Sequence, residues 1–197
     1  MYIPESFEEK DLEKIFQLVE KYSFATVITS PKAIPLATHL PLMVEREGSN
    51  IRLIGHMARA NEQWRHFLEQ GEILVIFHGP HCYISPSNYF KLDAPTWNYA
   101  AVHMYGSATI IEEEKKLVEL VESLAKKYES SRSNPVEPGY SDRLIQYIVG
   151  FTIKVSRVEA KFKMSQNRSD AERQNVICNL AKSEDDNERS VAQLMKG

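Results

Sequence analysis

The sequence predicts an α+β protein in which helices decorate an antiparallel β-barrel. About six or seven segments have the short, β-branched character of strands, and the helices among them do not alternate in the βαβ manner of a parallel sheet. The 197 residues, 43% of them hydrophobic, suit one domain with a substantial core and argue against disorder. The formal net charge of -3 provides no global positive field that would draw the protein to nucleic acid.

Helices are predicted from capping signals and from apolar residues spaced three and four apart. Ser6 and Glu9 have the spacing of a capping box, and Ser169 and Glu172 have the same spacing. Asn61 suits the N-cap of a short helix that follows a strand. The predicted helices cover residues 7–22, 61–69, 112–129, 141–148 and 169–180.

Strands are predicted where short apolar and β-branched runs are bounded by turn residues. They cover residues 24–29, 36–44, 51–57, 73–77 with an extension at 82–84, 100–111 and 151–162. The segments 85–95 and 130–139 have the composition of loops. Residues 181–197 begin with a charged run and are predicted to form a solvated tail, so a single domain is expected over 1–180.

The cysteines and the N-terminus indicate a cytoplasmic protein. Cys82 and Cys178 lie far apart in sequence and fit neither a disulfide framework nor a metal knuckle, which favours two reduced thiols. The segment 1–14 is rich in acids and has no apolar leader, and no run of about 20 apolar residues could span a membrane.

A candidate anion site lies where a strand is predicted to end and a short helix to begin. The helix N-terminus offers backbone N–H groups, Arg59 offers a guanidinium fork, and a protonated His56 adds a donor. In the alternative interpretation Asn61 only caps the helix, Arg59 is a surface charge and His56 is a barrel-end histidine. No glycine-rich phosphate loop is present in the sequence.

Metal and hydrolase chemistry find little support in the spacing of the residues. No metal site is expected from the histidines that the predicted strands carry, because no set has metal-ligand spacing: His39, His56, His78, His81 and His103. Cys82 follows His81 on a strand, so the two side chains point to opposite faces and cannot form a thiolate–imidazole pair. We assign no catalytic residue.

Two further segments carry side chains suited to ligands. Trp97, Asn98 and Tyr99 lie at a loop-to-strand junction, where rings can stack on a planar heterocycle or else fill the core or a subunit contact. Residues 161–168 mix cations and amides and could contact phosphate or nucleic acid, or could be solvated surface. No DNA-reading motif accompanies them.

Six ordered motifs resemble those of one known family. They are ATHLPL (37–42), GHMARAN (55–61), GPHCYISPS (79–87), PTWNY (95–99), VHMYG (102–106) and KFKMSQNRSDAER (161–173). Together they resemble the PaiB-type family of FMN-binding negative transcriptional regulators, also described as regulators of protease synthesis and sporulation in bacilli. The resemblance runs from Met1 to about Leu180.

This resemblance implies a split β-barrel of the flavin-reductase and pyridoxamine-oxidase type, a homodimer with FMN at the subunit interface. It implies that His56, Arg59 and Asn61 hold the FMN phosphate and that Thr38 and His39 face the flavin. The residues expected to reach the flavin from either subunit are Trp97, Asn98, Lys163 and Gln166.

The resemblance implies a repressor of transcription, but the route of repression stays open. Because the sequence shows no DNA-reading element, repression could act on DNA or indirectly through a regulatory partner protein. The alternative is an FMN-dependent oxidoreductase acting on a small substrate, for which His103 is the nearest acid–base candidate. A haem- or metal-binding barrel is a third option.

Overall fold

The computed structural model describes residues 1–48, 50–69, 71–90, 94–135 and 142–196. The chain divides into two compact units. Unit 1 comprises Met1–Tyr22, Phe77–His103 and Glu159–Gly197, and unit 2 comprises Ser23–Ile76 and Met104–Val158.

The described residues form seven strands, which hydrogen bond in the order β2-β1-β5-β6-β7-β4-β3. They are β1 (Phe24–Thr29), β2 (Leu36–Pro41), β3 (Met43–Glu47), β4 (Asn50–Ala58), β5 (Ile73–Ile84), β6 (Thr96–Ile111) and β7 (Ile148–Lys163). The pairs β1–β2, β3–β4 and β4–β7 are antiparallel. In their registers Thr38 lies opposite Val27, and His56 lies opposite Gly150.

Five α-helices occur in the described residues: α1 (Leu12–Lys21), α2 (Glu114–Glu129), α3 (Asp142–Ile145), α4 (Asp170–Leu180) and α5 (Asp186–Lys196). The capping box predicted for α4 is present, with Ser169 and Glu172 each bonding the other's backbone N–H. A 3₁₀ helix, Glu62–Glu69, follows Asn61 as predicted.

Helix α1 begins later than the sequence analysis predicts. The capping box expected at Ser6 and Glu9 is absent, and Glu5–Phe7 forms a separate 3₁₀ turn. The N-cap is Asp11, whose carboxylate accepts a hydrogen bond of 2.9 Å from the Glu13 N–H. An aspartate beside a helix start competes well for the cap position, and this one determines the boundary.

Several other boundaries also differ from those predicted. The expected strand 36–44 is divided at Leu42, whose N–H donates to the Ser23 carbonyl at 2.9 Å. Strand β5 continues through Gly79 and Pro80 without a break, and β6 begins at Thr96 rather than at residue 100. The helix expected over 141–148 is only α3, because Ile148 already starts β7. Of the predicted loops, residues 91–93 and 136–139 lie outside the described residues.

The predicted solvated tail is wrong for most of its length. Residues 186–196 form α5, in which Val191, Ala192 and Met195 are buried. The Arg173 guanidinium donates to the Met195 carbonyl, which ties the last turn of α5 to α4. The charged run that suggested a tail occupies only the connection and the first turn of this amphipathic helix.

In unit 2 the apolar face of α2 makes up most of a cluster of buried residues. Leu117, Leu120, Val121 and Leu124 form this cluster with Ile145. The predicted periodicity of α2 is thereby confirmed, since these residues are spaced three and four apart. Among the described residues, no helix combines the length and the apolar character needed to cross a membrane.

Candidate functional site

In unit 2 the end of β4 is joined to β2 by a pair of predicted site residues. The Asn61 amide donates a hydrogen bond of 2.8 Å to the Thr38 hydroxyl. The Asn61 side-chain oxygen Oδ1 accepts from the Gln63 N–H at 3.1 Å and so caps the 3₁₀ helix. The structure therefore brings Thr38 and Asn61 together. We call this pair, with the adjacent His39, the strand-end group.

Gln63, which the sequence analysis missed, hydrogen bonds β1 and the first residue of β2, next to the strand-end group. Its side chain is fully buried, and its amide nitrogen lies 3.0 Å from the Val27 carbonyl and 3.0 Å from the Leu36 carbonyl. It also lies 3.1 Å from the Thr29 hydroxyl. The signal in the sequence was its place four residues before Phe67, on the side of the helix that packs inward.

Arg59 is directed to the start of β7 rather than to the strand-end group. Its Nε donates to the Gln146 carbonyl at 2.8 Å, and its Nη2 donates to the Ile148 carbonyl at 3.0 Å. The Trp64 indole N–H donates to the Arg59 carbonyl at 3.0 Å. Because a guanidinium has five N–H groups, three of them have no partner among the described residues.

The two predicted histidines differ in their surroundings. His56 is half-buried, and burial lowers its pKa, so the protonated donor considered from the sequence is disfavoured. Its Nδ1 is buried and has no hydrogen-bond partner within the described part of the chain. His39 is exposed, and its ring lies 6.5 Å from the ring of Phe24, which is itself 64% exposed.

In unit 1, Trp97 belongs to an exposed group of rings. Its side chain is 53% exposed, and its ring lies 6.1 Å from the His81 ring and 6.3 Å from the Tyr83 ring. His81 and Tyr83 are two apart on β5 and therefore share one face of the strand. The structure thus places His81 and Tyr83 beside Trp97, whose ring the sequence analysis identified as a candidate.

Lys163 supports the backbone beneath Trp97. Its ammonium donates to the Trp97 carbonyl at 2.8 Å and to the Thr96 hydroxyl. Burial lowers the pKa of Lys163, and the positive charges of Lys161 and Arg168 lower it further. Lys163 and Trp97 are thus neighbours, as their assignment to one site requires.

Asn98 and Gln166 have partners inside unit 1. The Asn98 side chain is fully buried and donates to the Ser165 hydroxyl at 2.9 Å and to the Met195 sulfur at 3.5 Å. The Gln166 side-chain oxygen Oε1 accepts from the Met164 N–H at 2.6 Å. Ser165 has a φ of 59°, a conformation that favours glycine. Both amides therefore shape the strand-to-helix turn after β7.

The two cysteines differ in their exposure to solvent. The Cys82 thiol is buried, and burial together with the charges of Glu188 and Asp185 raises its pKa to about 12. Cys178 is exposed. Over the described ranges, no three His, Cys, Asp or Glu side chains lie close enough to hold a metal ion.

Solved structures with the same fold include two that share little sequence with this chain. A FAD- and haem-binding protein from Mycobacterium smegmatis has a TM-score of 0.65 at 12% identity, covering 85% of this chain and 78% of its own. The flavocytochrome Anf3 from Azotobacter vinelandii has a TM-score of 0.60 at 17% identity, covering 79% and 69%. They confirm the predicted fold class, an α+β antiparallel split β-barrel.

Sequence comparison identifies closer relatives. Residues 1–157 match the family described as "Putative FMN-binding domain". The Bacillus subtilis "Protease synthase and sporulation protein PAI 2" is 42% identical over 201 residues, which cover 100% of this chain and 97% of the relative. An uncharacterized Saccharomyces cerevisiae protein is 30% identical over 67% of this chain and 92% of its own length. The chain therefore belongs to the PaiB-type FMN-binding family, as its ordered motifs predict.

Proposed function

We propose that this protein binds FMN and acts as a negative regulator of transcription, of the kind that controls protease production and sporulation. The observation that carries the proposal is the 42% identity to the Bacillus subtilis PAI 2 protein over the whole of this chain. The family match over residues 1–157 supports FMN as the flavin.

The chemistry of the strand-end group fits a phosphate monoester. The Thr38 hydroxyl accepts from Asn61 and keeps its own O–H as a donor, and the Asn61 amide keeps its second N–H. Arg59 adds up to three N–H groups, and the buried Nδ1 of His56 still lacks a partner among the described residues. Charge-assisted bonds of this kind are the strongest that a protein offers to phosphate.

Trp97 is the candidate for contact with the flavin ring, because it exposes a broad aromatic face. Lys163 bonds the Trp97 backbone, while Asn98 and Gln166 bond the turn that follows Lys163. Bound FMN would supply hydride and electron transfer at this ring. We propose that a homodimer places the flavin at the subunit interface, with these residues contributed by either subunit.

We propose that repression acts through a regulatory partner protein rather than by base readout. The net charge is -3, and Lys161 and Lys163 are turned inward to bond the Tyr2 and Trp97 carbonyls. These two cations are therefore poorly placed to neutralise DNA phosphates. A gel-shift titration at low salt against the protein's own promoter should show no retardation, and a sequence-dependent shift would refute the indirect route.

The first experiment is a visible spectrum of the purified protein before and after FMN is added and excess flavin is removed. We expect retention of about one flavin per protomer, and a protein that retains none refutes FMN binding. Thr38→Val removes one phosphate donor and should weaken FMN about tenfold, the worth of one charge-assisted hydrogen bond. Thr109→Val, an exposed threonine on β6, is the matched control and should leave the affinity unchanged.

A further inference from the structure

A cavity of about 440 Å³ lies in unit 2 beside the proposed phosphate site. Arg59 belongs to both, because it lines the cavity and its N–H groups without a partner among the described residues are assigned to the flavin phosphate. Small-molecule sites have volumes of about 300–1,000 Å³, so the cavity is of ordinary size for a ligand. A ligand that is held by a phosphate at Arg59 and continues beyond that phosphate therefore extends into this cavity.

The donors of the phosphate site lie at two places. The side chains of Thr38 and Asn61 bond each other at 2.8 Å. The Arg59 guanidinium instead bonds the Gln146 and Ile148 carbonyls, and Gln146 itself lines the cavity. The guanidinium is thereby fixed at the cavity rather than at the pair of Thr38 and Asn61. Two phosphates in series, as in a pyrophosphate, match these two groups of donors better than a single phosphate does.

The cavity is lined mainly by apolar side chains. Leu117, Ile145 and Val149 are at most 5% exposed. Trp64 adds a half-buried indole, whose N–H donates to the Arg59 carbonyl at 3.0 Å and so fixes the ring beside the cavity. An apolar floor with one aromatic wall suits a planar heterocycle, since the flat faces of such a ring need no polar partners.

The charge of the lining limits what the ligand carries at this end. Glu112 and Glu114 lie near the start of α2, line the cavity and are exposed. Their negative charges disfavour a ligand end that bears a further phosphate. The part of the ligand beyond the pyrophosphate is therefore expected to be uncharged, as an adenosine is.

We propose that this site binds FAD in addition to FMN. The pyrophosphate bonds the strand-end group and Arg59, the adenosine fills the cavity, and the adenine lies against Trp64. The inference rests on the proposed function, because the flavin half of FAD occupies the site proposed for FMN. FMN ends at its single phosphate and leaves the apolar floor and the indole uncovered, so the two cofactors differ in the surface that they bury.

The test is calorimetric titration of the full chain, freed of flavin, with FAD and with FMN in parallel. We expect FAD to bind about tenfold more tightly than FMN, the worth of stacking one base on an aromatic ring. FMN binding with FAD bound no more tightly overturns this inference and leaves the proposed function intact. If neither flavin binds, the proposed function and this inference both fail.

Two variants of Trp64 locate the adenine. Trp64→Leu and Trp64→Phe both remove the N–H that bonds the Arg59 carbonyl, but only Trp64→Phe keeps an aromatic ring. FMN should bind the two variants equally, whereas FAD should bind Trp64→Leu about tenfold more weakly than Trp64→Phe. Equal affinity of FAD for the two variants overturns the inference.

Tyr147→Leu is the matched control. It removes a ring that is 66% exposed, on the connection from α3 to β7 but outside the cavity lining. The affinities for both flavins should stay unchanged, and a selective loss of FAD affinity would overturn the placement of the adenine at Trp64. The comparison of FAD with FMN in the unaltered chain tests the inference even where a variant fails to fold.

Discussion

Replacing Asn98 by alanine tests whether this residue holds the turn after β7. The Asn98 amide donates a hydrogen bond of 2.9 Å to the Ser165 hydroxyl, and Ser165 is only 3% exposed. A buried hydroxyl left without its partner costs about 1–3 kcal/mol, and the small cavity adds about 1 kcal/mol. We therefore expect Asn98→Ala to lower the free energy of unfolding by about 2–4 kcal/mol.

Urea denaturation measures this loss as a shift of the midpoint at constant m-value. Ser165→Gly in the same background supplies the control. Glycine adopts the φ of 59° at this position without strain, and it leaves no hydroxyl without a partner. The double variant should be more stable than Asn98→Ala alone, with a coupling of at least about 1 kcal/mol. A loss below about 1 kcal/mol for Asn98→Ala, or strictly additive changes, would refute the role assigned to Asn98.

Three more results are expected. Arg59→Ala should weaken FMN by more than about 1.5 kcal/mol in a fluorescence titration, and unchanged affinity would remove Arg59 from the phosphate site. Because burial lowers the pKa of His56, the unfolded chain takes up the proton first, so stability should fall as pH drops below about 6.5. His56→Gln should reduce that dependence in thermal melts, and an unaltered slope contradicts it. With its pKa raised to about 12, Cys82 should resist a thiol reagent in native protein. Cys178 should react, and two equivalents per chain without denaturant would contradict this.

The parts of the fold that local signals specify were predictable from the sequence. The capping box at Ser169 and Glu172 and the cap at Asn61 depend on residues close in sequence, and both are present. The start of α1 was wrong because Asp11 offers a competing cap at nearly the same place. Local sequence rules predict that a helix exists, but they do not decide which of two nearby residues becomes its N-cap.

The candidate site was harder to predict because its side chains find partners far away in sequence. Asn98 has the chemistry of a ligand-binding amide, yet its side chain bonds Ser165, which lies 67 positions further along the chain. Met195 is a partner of Asn98 only because α5 packs inside unit 1 together with the start of β6. Residue type states what a side chain can bond, and tertiary packing decides which partner it bonds.

The composition of unit 1 has a consequence for the order in which the chain matures on the ribosome. Unit 1 combines Met1–Tyr22 with Phe77–His103 and Glu159–Gly197, whereas no residue of unit 2 lies beyond Val158. During synthesis from the N-terminus, unit 2 can close while α5 is still being made. The segment before α1, by contrast, has to wait for the end of β7, because the Glu9 N–H donates to the Ala160 carbonyl and Lys161 donates to the Tyr2 carbonyl.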